Sequence, residues 1–218
     1  MNSVPDVKRS KRIYRSERRR QQAASTQSAI GEAAKRLFAE RGYTGTTIEA
    51  IAENAGVAAV TVYSTFGTKR ALLAHLVSVA VAGDDEVIPF FERPGPRQVL
   101  AARDQRAQVR LFAADISGTL LRVAPLMEVA SQAARTEPEI TELLKGMLRQ
   151  RLANIGVFAT ALRANGPLKD DLSAARAAEI IWAVTTPEAY LLTQRHLDWS
   201  HDEWISWLGQ SLADLLLP

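Results

Sequence analysis

Residues 51–66 read IAENAGVAAVTVYSTF, which is two short apolar patterns separated by a single glycine. Gly56 can adopt a positive φ without strain, so it suits a tight turn between two short helices. The second pattern carries small and hydroxylated side chains on one face, which a helix buried in a core does not need. This combination predicts a helix-turn-helix whose second helix presents a polar, patterned face to something outside the domain.

Apolar spacing of three and four residues predicts a bracing helix ahead of this motif, at about residues 21–41. Gly42 follows it, in the position of a left-handed cap. The next helix is expected to begin at Thr46 or Thr47, because Thr46 and Glu49 have the spacing of a capping box. The N-terminal region is therefore predicted to be a three-helix domain at residues 21–67.

The rest of the chain also predicts helices, since no sustained two-residue alternation is present. The third helix is expected from about Ala58 to Phe66, and Thr68 can cap a fourth. Residues 83–96 hold three prolines and two glycines and are expected to be a loop. Longer helices are then expected at about residues 97–114, 116–134, 137–165, 172–193 and 201–217.

Two further capping boxes are expected in this region, at Thr136 with Glu139 and at Ser200 with Glu203. The predicted fold is therefore all-α, with the N-terminal helix-turn-helix domain followed by a helical domain at residues 68–218.

Composition excludes several kinds of site. The chain of 218 residues has no cysteine, so disulfides and thiolate chemistry are absent. His75, His196 and His201 match no metal-ligand spacing, and we identify no nucleophile–base or carboxylate pair. No catalytic residue, cofactor or metal is expected. No apolar run approaches a membrane span and the N-terminus has no signal-peptide core, so a cytoplasmic protein is expected.

Charge is distributed unevenly along the chain. Residues 1–70 hold 13 Lys and Arg against 6 Asp and Glu, a net +7, whereas residues 71–218 hold 14 against 18, a net −4. A polyanion would attract the basic part. Residues 1–20 are expected to be a flexible basic arm, although a solvated tail of no function has the same composition. Its basic residues are Lys8, Arg9, Lys11, Arg12, Arg15, Arg18, Arg19 and Arg20.

Residues 37–73, LFAERGYTGTTIEAIAENAGVAAVTVYSTFGTKRALL, resemble the N-terminal domain of TetR-type (tetracycline-repressor-like) transcriptional regulators. The resemblance runs without a gap. It is carried by Phe38, Gly42-Tyr43, Thr46-Thr47, Ile51-Ala52, Ala55-Gly56-Val57, Thr61, Tyr63, Phe66, Lys69 and Leu72-Leu73. It implies that the N-terminal domain binds DNA and that the C-terminal domain senses a small molecule and forms a dimer.

The resemblance also implies roles for individual residues. Phosphate contacts are implied for Thr47, Tyr63 and Lys69. The positive charge of the arm separately predicts that Arg12, Arg15, Arg18 and Arg19 bind DNA. Base-facing positions are expected at Ala58, Ala59, Thr61 and Ser64. The two alanines cannot hydrogen-bond a base edge but can contact a thymine methyl group. Few hydrogen bonds between α-helical side chains and base edges are therefore expected. The basic arm and the shape of the DNA should contribute more to recognition.

The implied partners are double-stranded DNA with a pseudo-palindromic operator, a second copy of the chain and an unknown small-molecule effector. The expected function is that of a repressor released by its effector. An architectural DNA-binding protein without an effector and a helical enzyme with a DNA-tethering arm remain alternatives. Candidate pocket residues are Phe112, Asp115, Thr119, Met127, Phe158, Trp182 and Thr186. Candidate interface residues are Ile180, Ile181, Val184, Leu191, Leu192, Trp204, Ile205, Trp207, Leu208, Leu212, Leu215 and Leu216.

Overall fold

The computed structural model describes residues 7–218, with side chains described from residue 18 onward. This part of the chain folds into ten α-helices and two short 3-10 helices, at Phe90–Glu92 and Lys169–Asp171, without a strand. It divides into two compact units that meet in sequence between Leu72 and Leu73. The α-helices are α1 (Val7–Arg41), α2 (Ile48–Ala55), α3 (Ala59–Phe66), α4 (Lys69–Ala82), α5 (Pro94–Ala101), α6 (Gln105–Ala133), α7 (Pro138–Ala164), α8 (Ala174–Val184), α9 (Pro187–His196) and α10 (His201–Leu216).

The N-terminal unit packs α1 against α2 and α2 against α3. Its core is apolar and fully enclosed, because each helix contributes one buried stripe. Gly42 and Gly56 end α1 and α2 with positive φ angles of 69° and 68°, as their positions predicted. The buried residues of this core include Ile30, Ala34, Leu37, Phe38, Ile51, Ala52, Val62 and Leu72.

Two local predictions in this unit are wrong. The first helix begins at Val7 rather than near Gln21, because the basic residues are good helix formers and no Gly or Pro interrupts them. Thr46 does not form a capping box. Its hydroxyl is fully buried and donates to the carbonyl oxygens of Leu37 (3.1 Å) and Gly42 (2.8 Å). Thr47 caps α2 instead, accepting from the Ala50 N–H at 3.1 Å.

The C-terminal unit is built around α6, which packs against α5, α7, α9 and α10. Phe112 of α6 and Phe158 of α7 stack at its centre, with ring centroids 3.9 Å apart and planes 5° from parallel. Trp204 of α10 is fully buried beside this core, in edge contact with the Tyr190 ring. Ser200 and Glu203 form the predicted capping box at the start of α10.

Several predicted boundaries in this unit differ from the structure. The predicted loop at residues 83–96 ends early, since α5 begins at Pro94, a residue well suited to a helix start. The helix predicted at residues 97–114 breaks after Ala101, because Asp104 caps a new helix that continues without interruption to Ala133. The helix predicted at residues 172–193 is divided into α8 and α9 by the cap of Thr186 and by Pro187.

The capping box predicted at Thr136 and Glu139 is also wrong. Glu137 precedes α7 without a side-chain cap bond, and the Thr136 hydroxyl donates back to the Ala133 carbonyl at 3.4 Å. Pro138 begins α7, so the missing N–H of proline takes one place that a cap would otherwise satisfy.

Candidate nucleic-acid interface and effector cavity

The outward face of α3 is fixed by the residues that it buries. Val62 is 1% exposed, and Phe66, one turn later, is half-buried on the same side. Ala59 lies three residues before Val62 and is also half-buried. Positions three and four residues apart share one face of a helix. The opposite face of α3 therefore centres on Val60 and Ser64, both of which are exposed.

This geometry alters the set of base-facing residues expected from the sequence. Ala59 is half-buried on the same side of α3 as Val62, so it lies further from the centre of the outward face than Val60 does. Ala58 is the exposed N-cap residue of α3, and Thr61 is half-buried at the flank. Val60 was not among the candidates, yet it is 71% exposed. Its position four residues before Ser64 would have identified it.

The hydroxyl groups on α3 are engaged within the helix. Ser64 and Thr65 both donate to the carbonyl oxygen of Thr61, at 3.0 Å and 2.7 Å. Such back-bonding uses the hydroxyl proton and leaves only acceptor capacity facing outward.

Two of the expected phosphate contacts lie on the exposed surface. Thr47 is exposed at the start of α2, and Tyr63 is 48% exposed with its hydroxyl 3.5 Å from a carboxylate oxygen of Glu49. Arg18 and Arg19 are exposed on α1, whereas the side chains of Arg12 and Arg15 lie outside the described residues.

Lys69 has a structural task that the sequence did not reveal. Its ammonium group donates to the carbonyl oxygens of Tyr43 and Thr46, both at 2.8 Å, and lies 4.2 Å from the centroid of the Tyr43 ring. These contacts hold the turn between α1 and α2 to the first residue of α4. Charge-assisted hydrogen bonds and a cation–π contact stabilise the domain itself, whether or not Lys69 also contacts a phosphate.

The C-terminal unit contains a cavity of about 630 Å³, lined mainly by apolar side chains of α4, α6 and α7. Its volume and its mainly apolar lining are typical of cavities that bind small molecules. Among the residues predicted to line a pocket, the cavity wall includes Phe112, Asp115, Thr119, Met127 and Phe158. Trp182 and Thr186 lie outside it. Trp182 packs under the Arg151 guanidinium, 5.1 Å from its ring centroid, and Thr186 caps α9.

Asp115 is an acidic residue of the cavity wall whose charged form is disfavoured by its surroundings. Burial raises the pKa of its carboxyl group, and the positive charge of Arg122 opposes this shift only partly. The carboxylate lies against Gly95 in the first turn of α5, where a β-carbon would come within 1.9 Å of a carboxylate oxygen. The absence of a side chain at residue 95 is what allows Asp115 to occupy this position.

Two arginines hold the C-terminal end of α4. Arg122 of α6 donates to the Ala80 carbonyl at 2.8 Å. Arg93 is 6% exposed and donates to the carbonyls of Ala82 (2.9 Å) and Glu86 (2.8 Å) and to the Asp84 carboxylate (2.9 Å). Cations are favourable at the carbonyl end of a helix. Hydrogen bonds from the Glu86 backbone and the Arg93 side chain lower the pKa of Asp84, which keeps this carboxylate charged.

Arg151 of α7 plays a similar part at the end of α8. Its guanidinium donates to the carbonyls of Trp182 (2.9 Å) and Thr185 (2.7 Å). Burial lowers the pKa of Arg151 to about 10, against the opposing charge of Glu188, so the group remains protonated at neutral pH. It lines the cavity while stabilising the carbonyl end of α8.

Across the described residues, no group of three or more His, Cys, Asp or Glu side chains is arranged to hold a metal ion. Within the same part of the chain, the helices are each too short or too polar to cross a bilayer.

The helix-turn-helix, its exposed second helix and the basic α1 define a DNA-binding protein of the helix-turn-helix class. A sequence profile of the bacterial regulatory proteins of the tetR family matches residues 30–76. The transcriptional repressor BepR of Brucella suis is 27% identical over 173 residues, which cover 77% of this chain and 80% of BepR. These matches and the fold support a TetR-type regulator, with the family profile covering residues 30–76.

Solved structures support the same fold over most of the chain. NalD, the secondary repressor of the MexAB-OprM multidrug efflux pump in Pseudomonas aeruginosa, superimposes with a TM-score of 0.64 at 20% identity, covering 88% of this chain and 96% of NalD. SmeT, in its complex with triclosan, gives 0.68 at 19% identity, covering 88% of this chain and 92% of SmeT. At this level of identity the likeness establishes the fold alone.

Replacing Lys69 with methionine keeps the length and apolar stem of the side chain but removes its ammonium group. We expect the variant to unfold at a lower urea concentration, with a loss of about 1–3 kcal/mol, because two charge-assisted hydrogen bonds are removed. Tyr63→Phe is the control, because it removes an exposed hydroxyl group. This variant should bind DNA more weakly but should unfold at the same urea concentration as the wild type. Equal unfolding midpoints for Lys69→Met and the wild type would contradict the structural task assigned to Lys69.

Asp115→Asn tests the cost of the buried carboxylate. The folded protein raises the pKa of Asp115, so it holds the proton more tightly than the unfolded chain does, and stability falls as pH rises through the raised value. Asp115→Asn should therefore be more stable than the wild type near neutral pH. The difference should vanish below the usual aspartate pKa of 3.8. Urea unfolding of both proteins across this pH range measures it, and a difference independent of pH would refute the assignment.

Proposed function

We propose that the protein is a homodimeric repressor that binds a pseudo-palindromic operator and is released when a small apolar molecule enters the cavity of its C-terminal unit. It acts on DNA in the cytoplasm. The observation that carries this proposal is the cavity of about 630 Å³ beside α4, the helix that begins in the DNA-binding unit and ends in the C-terminal unit. BepR and NalD are themselves repressors, and SmeT has been solved with triclosan.

Exposed apolar side chains on the last two helices, α9 and α10, support a dimer. Trp207 and Leu215 are 40% and 44% exposed, two turns apart on α10, and Leu192 of α9 is 57% exposed. A second copy would bury this face, since exposed apolar stripes are typical of subunit interfaces. Ile180, Val184, Leu191 and Ile205 are half-buried and can contribute at its edge. Ile181, Trp204, Leu208, Leu212 and Leu216, expected at the interface, instead pack inside their own chain.

The route from cavity to DNA runs along α4. Arg93 and Arg122 fix the carbonyl end of this helix, and both are in the unit that contains the cavity. A ligand that displaces Asp115 or Thr119 would disturb Arg122, because it bonds the Thr119 hydroxyl at 3.4 Å and attracts Asp115. A shift of α4 would then change the spacing of the two recognition helices. Coupling of about 1–3 kcal/mol would weaken operator binding by roughly 5–150-fold.

An architectural DNA-binding protein without an effector would have no need of this cavity, which is why the effector-responsive function is favoured. No specific observation favours the helical enzyme.

The basic residues of α1 should set the salt dependence of operator binding. Arg18→Gln and Arg19→Gln should each lower the slope of log affinity against log salt by about 1.8, because the dimer carries each side chain twice and each copy neutralises one phosphate. Arg103→Gln, an exposed arginine of the C-terminal unit, is the matched control and should leave the slope unchanged. Affinity measured by fluorescence anisotropy at several salt concentrations gives the slopes. If the slopes of all three variants are equal, Arg18 and Arg19 do not contact the phosphate backbone of the DNA.

Footprinting on a selected operator checks the symmetry of the complex. Two protected half-sites should have centres about 34–36 Å apart, or a multiple of this distance, because a two-fold dimer requires matching half-sites. Protection of a single unsymmetrical half-site would contradict the dimer.

A substitution that fills the cavity should abolish the response to an effector. A panel of apolar compounds that fit the cavity, triclosan among them, is screened for release of the protein from its operator. Thr119→Phe places a ring in the cavity wall and should raise the releasing concentration at least about tenfold, a change of about 1.4 kcal/mol. Leu121→Phe, on the same helix but 54% exposed, should respond like the wild type.

Equal responses from Thr119→Phe and Leu121→Phe would show that the effector binds elsewhere. If no compound in the panel releases the protein from its operator, the proposal of an effector is wrong. Operator binding is tested separately by the footprint.

A further inference from the structure

Val60 is the most exposed large hydrophobic residue that the structure describes in the N-terminal unit. It is 71% exposed, against 48% for Tyr63, and it lies on the side of α3 opposite Val62. An exposed isopropyl group at the centre of a functional face loses water favourably when a partner covers it. A chemical group of the operator DNA is therefore expected to cover the isopropyl group of Val60.

The composition of α3 limits which groups of a base pair this helix can contact. The helix reads AVTVYSTF and contains no Arg, Lys, Asn, Gln, Asp or Glu, the side chains that form bidentate or charged hydrogen bonds with base edges. The hydroxyl protons of Ser64 and Thr65 are used by the Thr61 carbonyl. The face centred on Val60 therefore offers methyl groups and acceptors, and few free donors.

In the major groove, the C5-methyl group of thymine is the apolar group that a base edge presents. We propose that Val60 is a specificity-determining residue, and that its isopropyl group packs against a thymine C5-methyl group in each operator half-site. This inference rests on the proposed operator binding but goes beyond it, because it assigns a base and an atom to one side chain. It also adds Val60 to Ala58 and Ala59, the residues at which a thymine contact was expected from the sequence.

The experiment removes the methyl group from the DNA and from the protein in turn. Duplexes that bind the full-length protein are first selected from a pool of DNA with a random central region. Each thymine of the selected half-site is then replaced singly by uracil, which lacks only the C5-methyl group. Dissociation constants are measured for the wild type, for Val60→Ala and for the control Val157→Ala, which alters an exposed valine of α7 outside the cavity wall.

The wild type should lose about fourfold in affinity when one critical thymine is replaced, and about sixteenfold when both half-sites are changed, as expected for loss of one buried methyl contact in each. Val60→Ala should bind the thymine duplex more weakly and should no longer distinguish thymine from uracil. Val157→Ala should discriminate like the wild type. Alanine at residue 60 favours a helix and replaces an exposed side chain, so the variant should fold normally.

The outcomes separate this inference from the function on which it depends. If the wild type binds a selected duplex but no uracil substitution weakens it, the Val60 contact is wrong and operator binding stands. The contact is also wrong if Val60→Ala retains the thymine preference or changes the oligomeric state instead. If selection enriches no sequence, sequence-specific binding and the Val60 contact both fail.

Discussion

The left-handed conformation of Gly56 sets the direction in which α3 leaves α2, and this direction decides which side chains of α3 face outward. At a φ of 68° a β-carbon would be strained even though no neighbouring atom lies within 4 Å of its position. The constraint is therefore one of backbone conformation. The turn is closed by the Val57 N–H, which donates to the Ala52 carbonyl at 2.9 Å, and the small side chain of Ala52 lets the two helices approach.

The ends of α4 are held in chemically similar ways. At its start, the Lys69 ammonium binds the carbonyls of Tyr43 and Thr46, and at its end Arg93 and Arg122 bind carbonyls of the last turn. Each attachment joins a cation to backbone oxygens, so it is directional and cannot deform without losing a hydrogen bond.

The cavity illustrates how a sensor differs from a core. The stacked rings of Phe112 and Phe158 could have been surrounded by side chains that fill the space, as in a close-packed interior. Instead the protein keeps a partly open cavity with the carboxylate of Asp115 in its wall, where burial raises the pKa of that group. Such a site costs stability in the free protein, and a ligand of suitable shape and polarity offsets part of that cost.

The sequence by itself determined the helical content, the turn glycines at Gly42 and Gly56, the capping box at Ser200 and the TetR-type DNA-binding domain, because each depends on local spacing and conformational preference. It also pointed to five residues of the cavity wall, on α6 and α7, from the mixture of aromatic and polar side chains on these helices. The tertiary structure alone decided the burial of Thr46, the partial burial of Ala59 and the exposure of Val60. These depend on how α1, α2 and α3 pack against one another, and a single helix of eight residues cannot reveal which of its sides that packing will cover.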